Sequence, residues 1–331
     1  MSHPAPGAWP AAPHALRPIV VVGDVMTDVL ACHALPLAMG SDTPARVVTR
    51  VGGAGANTAA WLGALRAEVV FHGCVGDDPL GRVATDALLG LGVTARLRVT
   101  AEAPTGTCVV LVDGAAERTM LPDHGANDHL GAPAVHADGG HLHLSGYTLL
   151  HPGSRESGRA VLAAAREAGM GVSVDPASAA MVEAVGAGWM RDQIRGAHLV
   201  VLNRLEGRAL TGSDDAAGIA ARLLDNDHRA VVVKLGAGGA VWFAAGADPV
   251  HVPAATPPGP VVDTTGAGDA FAAGLLAALQ LGAGSEAALA RACEVAAGVC
   301  AQEGAWPEEA RATSASRTQA ANPAREPSAP S

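Results

Sequence analysis

Short, continuous apolar runs alternate with stretches of helical spacing through most of this chain, and that rhythm leaves few folds open. Pro18-Ile19-Val20-Val21-Val22-Gly23-Asp24 has no polar side to show, as expected of a parallel strand covered on both faces. Further strands are predicted at 172–175, 199–203 and 231–235, each leading into a helix or a glycine turn. Helical spacing covers 58–67, 80–90 and 154–169, and helices dominate from Ala267 to about Cys300. This order predicts an α/β domain, with a mostly parallel sheet between helical layers.

Two segments break the rhythm. Residues 31–51 and 96–121 contain β-like pieces, Ala45-Arg46-Val47-Val48-Thr49 and Gly106-Thr107-Cys108-Val109-Val110-Leu111-Val112, separated by turn-formers. Antiparallel strands inserted at two separate points are expected to meet as a small sheet, a lid over the strand C-termini. The ends, 1–17 and 311–331, are rich in Pro, Ala and Ser without an apolar period and read as disordered tails around one domain at 18–310.

Composition narrows the chemistry. With 49% hydrophobic and 16% charged residues, the 331-residue chain has ample material for a core. A net charge of −10 with no basic cluster argues against a nucleic-acid partner. Any anionic ligand must then be held by backbone amides, a helix end or a metal. The five cysteines include no C-x-x-C pair, so neither a disulfide framework nor a zinc knuckle is expected. No signal peptide is read in 1–18, and the small-residue stretch at 267–284 carries Asp269 and Gln280, which suits a buried helix rather than a membrane span. A cytoplasmic location is the expectation.

The most specific motif is Asp263-Thr264-Thr265-Gly266-Ala267-Gly268-Asp269-Ala270-Phe271, a polar turn that opens a long helix. Gly266, Ala267 and Gly268 would present bare N–H groups at the positive helix end, suited to a phosphate or to the charge that develops in phosphoryl transfer. Asp269, in the same turn, is placed to take a proton from an attacking hydroxyl. The stretch resembles the C-terminal signature of the ribokinase-like (PfkB) carbohydrate kinases. Gly52-Gly53-Ala54-Gly55-Ala56-Asn57-Thr58-Ala59 is similar to that family's N-terminal glycine motif, and Gly73-Cys74-Val75-Gly76-Asp77-Asp78-Pro79-Leu80-Gly81 follows as it does in the family. The resemblance covers about residues 18–306.

The resemblance implies a ribokinase-like three-layer α/β/α domain with a small β-sheet lid, using ATP and Mg²⁺. It implies Asp269 as catalytic base beside the Gly266–Gly268 anion hole, with Asp28, Gly53 and Asn57 on the sugar. Asn203 and Glu206 would organise Mg²⁺ and phosphate through water; their spacing equally suits a capping box. Lys234, Gly236 and Gly238 would line the nucleotide, although that loop also reads as a hairpin turn. Asp263, Thr265 and Gly304 correspond to a monovalent-cation site, with K⁺ the expected ion, while Glu308 stands near where a hydroxyl residue is common. Residues 296–304 and Trp306 lie where the family closes the adenine pocket. Asp24 falls where the family often has a small or polar residue, and either it or Asp28 would also serve by satisfying turn amides.

The implied partner is a small sugar, with a homodimer through the lid as a further expectation. Only 3% of residues are aromatic and neither lid segment contains one, which favours a free sugar over a nucleoside. Arg46, Arg98 and Arg118, in or near the lid segments, keep a sugar-phosphate kinase open as the alternative. A silent sugar- or nucleotide-binding regulator is the second alternative, opposed by the intact Gly-x-Gly-Asp269 turn. Thr58 and Val241 stand where a dinucleotide fingerprint needs glycine, and the only lysine, Lys234, follows Val233 rather than a P-loop glycine. Tyr147 follows a strand near the site. His141 and His143, with His136 nearby, read as a core pair rather than as metal ligands.

Overall fold

The computed structural model describes residues 18–114, 118–135 and 140–307. The expected tails, His136 and Glu308 lie outside the described residues. Strand β1 (Ile19–Val22) leads to β2 (Met26–Cys32), β3 (Arg46–Gly52), helix α1 (Ala54–Ala64), β4 (Val69–Gly76), α2 (Pro79–Gly90) and β5 (Thr94–Thr100). Then come β6 (Gly106–Val112), β7 (Arg118–Asp123), β8 (His141–Ser145), the short α3 (Tyr147–Leu150), α4 (Arg155–Glu167) and β9 (Gly171–Asp175). Helices α5 (Ala179–Val185) and α6 (Ala187–Ile194) precede β10 (Leu199–Asn203), and α7 (Arg204–Thr211) and α8 (Ala216–Leu224) precede β11 (Ala230–Lys234). Strands β12 (Ala240–Ala244) and β13 (Val250–Val252) come before α9 (Ala267–Gln280) and α10 (Ser285–Cys300).

The main sheet runs β13-β12-β11-β10-β9-β8-β1-β4-β5, parallel from β11 to β5. The period of two in β1 explains its apolar run. Val20 and Val22 join a core cluster with α4 to α8, while Ile19 and Val21 join one with α1, α2 and α9. Both faces are thus covered, and the three-layer expectation is met. The chain leaves β1 toward β4 and returns on the other side at β8, so the topological switch lies between β1 and β8, where open α/β sheets bind their ligands. Ser145 at the end of β8 marks the point, its hydroxyl donating to Asp24 Oδ1 at 3.1 Å.

A second sheet, β3-β2-β6-β7, is built from two separate insertions, as expected of the lid. Its boundaries differ from the expected ones. The lid begins at Met26, so Asp28 belongs to it, and its second segment is Gly106–Asp123. Thr94–Thr100, whose latter half the sequence suggested for the lid, pairs parallel with β4 at the edge of the main sheet and takes Arg98 with it. The lid's own core is small, with Met26, Cys108 and Val110 buried and Leu30 and Val112 against them. Asn127 ties lid to body by exchanging two 2.8 Å hydrogen bonds with the Val25 backbone just before β2. Among the described residues no helix is long and apolar enough to cross a membrane.

Candidate active site

The early glycine motif brings the start of α1 against the β1–β2 turn. Gly53 has φ 95°, and a Cβ there would come within 2.7 Å of the Asp24 carbonyl, so only glycine fits. Asp24 closes the turn by accepting from the amides of Ala54 (2.9 Å) and Gly55 (3.2 Å). The turn-amide role weighed for both acids therefore belongs to Asp24. Asp28 instead projects from β2 against Gly52, where a Cβ would meet its Oδ2. Burial, and then the charges of Asp24 and Asp263, push its carboxyl up to about 6.

Helix α9 opens on Gly266, left-handed at φ 75°, where a Cβ would lie 2.4 Å from that of Ala305. No side chain caps this N-terminus. Ala267 departs from the expectation of a bare amide, since its N–H donates to the Thr264 carbonyl at 3.2 Å and closes the turn. Asp269 follows in the first helical turn. Asn57 was expected on the substrate, yet its Nδ2 donates to Asp269 Oδ2 at 2.7 Å while its Oδ1 accepts from Trp306 Nε1 at 2.8 Å. Trp306 was expected at the adenine pocket; its ring belongs to the core cluster of α1 and α9, and its N–H fixes the amide that holds Asp269. Burial pushes the Asp269 carboxyl up to about 8, with the Asn57 bond and Lys234 acting the other way and Asp175 and Asp24 adding to the rise.

Adjacent parallel strands end in Asp175 (β9), Asn203 (β10) and Lys234 (β11), all at one edge of the sheet. Lys234 Nζ donates to Asp175 Oδ2 at 2.8 Å, and a Cβ on Gly268 would lie 3.3 Å from the same nitrogen. The lysine charge thus stands at the Gly266–Gly268 turn. Burial would lower its pKa, but the carboxylates of Asp175 and Glu206 outweigh that and raise it. Asn203 and Glu206 form the capping box of α7, with Asn203 Nδ2 also donating to Glu206 Oε1 at 2.6 Å. Burial and Asp175 raise the Glu206 carboxyl above the usual range. Its hard oxygens beside the strand ends suit a water-mediated Mg²⁺ contact. Gly236 and Gly238 form the exposed turn between β11 and β12, so the hairpin reading holds for them.

The expected cation site is gathered but filled. Asp263, only 7% exposed, accepts from the amides of Thr265 (2.7 Å) and Gly304 (2.9 Å). Its Oδ1 also accepts from Arg118 Nη2 of the lid at 2.5 Å, and Arg118 Nη1 donates to Thr265 Oγ1. Burial would raise this carboxyl, yet these donors outweigh it and hold it below its usual range. A guanidinium occupies the charge position, and K⁺ does not fit beside it.

His141 and His143 are a core pair as read, both within 2.8 Å of Ser173 Oγ and pushed down to about 3 and about 4, chiefly by burial. The sequence reading did not assign Asp175 to the site. Its signal was available, an acid ending a predicted strand at the sheet edge that carries Asn203 and Lys234. Tyr147 lies within the field of Asp24 and Asp269, and burial is the main cause of its raised pKa.

The family described as pfkB carbohydrate kinases matches residues 17–310. The ATP-dependent ribose-1-phosphate kinase of Halopiger xanaduensis is 31% identical over 300 residues, 87% of this chain and 93% of that protein. The fructokinase of Klebsiella pneumoniae is 32% identical over 275 residues, 79% and 84% of the two chains. In structure the chain is similar to adenosine kinase from Sinorhizobium meliloti, with TM-score 0.79, 25% identity and coverage of 92% and 99%. It is similar also to Arabidopsis thaliana ribokinase complexed with ribose and ATP, with TM-score 0.75, 26% identity and coverage of 89% and 98%.

Proposed function

This chain belongs to the pfkB family of carbohydrate kinases, and from that premise we propose that it moves the γ-phosphoryl group of ATP to a hydroxyl of a small free sugar, with Asp269 as general base. The observation that carries the reading is the head of α9. A carboxylate held by Asn57 stands there beside a glycine turn and Lys234, the one lysine of the chain. With its pKa raised to about 8, Asp269 is a far better proton acceptor than an ordinary carboxylate and is still partly ionised near neutrality. Asp28 and the Gly53 backbone would hold sugar hydroxyls, and the second N–H of Asn57 Nδ2 is available for another. The Gly266 turn, Gly268 and Lys234 would meet the charge on the transferring group. Gly236 and Gly238, at the exposed turn, would border the nucleotide. Bound Mg²⁺ would neutralise phosphate charge, with Glu206 and Asn203 holding it through water.

A free sugar is favoured over the alternatives by the lid. Its four strands contain no Phe, Tyr or Trp on which a base would stack. Its arginines face acids of the body: Arg46 and Arg50 on Glu303 at 3.6 and 2.7 Å, and Arg118 on Asp263. Arg98, on the main sheet, faces Glu102 at 3.9 Å. A second phosphate would have to displace these partners. The reading includes a homodimer through the lid, supported by exposed Val47, Met120 and Leu121 on its edge strands. It also includes a cytoplasmic location, supported by five unpaired thiols.

An ADP-release assay over free sugars, sugar phosphates and nucleosides tests the substrate class. The highest kcat/KM should fall on a free sugar. A sugar phosphate or nucleoside that gave the highest kcat/KM instead would overturn that choice.

A further inference from the structure

The lid touches the body through charged contacts at the two loops that flank the anion hole. From β3, Arg50 donates to the Glu303 carbonyl at 2.5 Å and to its carboxylate at 2.7 Å. At the start of β7, Arg118 reaches Asp263 and Thr265, immediately before the Gly266 turn. Gln302 Nε2 donates to the carbonyls of Trp306 (2.8 Å) and Gly304 (3.5 Å) on the loop that carries Glu303. Among the described residues the donors to Asp263 are two amides, one guanidinium, and the Thr265 hydroxyl, which also accepts from that same guanidinium.

We propose that Arg118 takes the place of a monovalent cation at Asp263, so that phosphoryl transfer needs no K⁺ and the anion-hole turn is completed only when the lid meets the body. A fixed charge on Asp263 stabilises the turn because a buried carboxylate without one would repel the phosphates that must approach Gly266 and Gly268. Arginine suits the position, since its planar fork addresses the carboxylate and the hydroxyl together while staying charged at any working pH. K⁺ would have to share the carboxylate with a like charge. Arg118 is a positioning residue: it acts through Asp263 and Thr265 on the turn. The lid thereby does more than exclude water, because it carries the charge that readies the transfer site.

The proposal rests on the kinase reading, and its test has an arm that needs no turnover. Initial rates and melting temperature of the wild type are measured in choline, sodium and potassium chloride at one ionic strength. Both should be indifferent to the cation. Arg118→Ala in choline chloride should lose about tenfold or more in kcat, the scale of a lost charge-assisted bond. It should regain activity, and gain melting temperature, when K⁺ or guanidinium is added; Arg118→Lys should retain part of the rate. A wild type that is both activated and thermally stabilised by K⁺ would overturn the proposal. So would an Arg118→Ala protein that stays fully active in choline, or one whose defect is confined to the KM of a phosphorylated sugar and ignores both cations. If no acceptor is phosphorylated the kinase reading fails by itself, while the melting response to K⁺ still decides whether Arg118 fills the site.

Discussion

Asp269 is set by burial and by two restraining neighbours, and each neighbour can be removed. Burial raises its carboxyl to about 8, while the Asn57 hydrogen bond and Lys234 restrain the rise. As the proposed base, Asp269 works only when deprotonated, so kcat/KM should climb with pH along a one-proton limb near 8 and level off above it. Removing either restraint, by Asn57→Ala or Lys234→Met, should move that limb to higher pH; a limb that stays put or falls would show that neither group acts on the base. At this scale a motif was enough to point to Asp269, Gly53 and Asp28 as candidates. The partners that tune them were not legible. The bond from Asn57 spans 212 positions and the contact from Arg118 spans 145, and no local spacing encodes such pairings. For the same reason the sequence pointed to Asn57 as a candidate on the sugar but not to its bonds with Asp269 and Trp306.

The lid shows what strand patterns reveal and what they withhold. Its existence was readable from β-like pieces without helices between them. Its edges were not, because Thr94–Thr100 alternates much as a lid strand does, and only the pairing with β4 assigns it to the body. That assignment has a consequence for hydrogen exchange. The lid is held by a small apolar core and by arginine contacts, so it should open at low free energy. Backbone amides in Met26–Gly52 and Gly106–Asp123 should exchange fast without ligand and slow together when sugar is added. Thr94–Thr100 should follow the main sheet instead. If that strand moved with the lid, or only one insertion responded, the four-stranded lid would not act as a unit.

Across the whole molecule the parallel sheet was the most legible feature, because strands covered on both faces must be apolar throughout. The polar residues inside it are where stability becomes pH-dependent. His143, 2% exposed, is held neutral in the fold at about 4 against 6.5 unfolded, so the unfolded chain binds more protons between those values. A depressed histidine therefore contributes stability that is present above pH 6.5 and lost as pH falls toward 4. The raised carboxyls of Asp269 and Glu206 act in the opposite sense, so the contribution is isolated by comparison. Denaturation midpoints of wild type and His143→Gln, followed from neutral to acid pH, should converge as the wild type loses up to about 3 kcal/mol. Parallel curves would mean that His143 is not what the acid side senses. In the proposed reaction, sheet, lid and helix end serve one proton transfer, and Asp269→Asn tests it most directly. Single-turnover phosphorylation with the preferred sugar should slow by about two orders of magnitude or more, while calorimetric affinities for sugar and nucleotide stay close to those of the parent. Turnover within a few-fold of the parent would contradict Asp269 as the base.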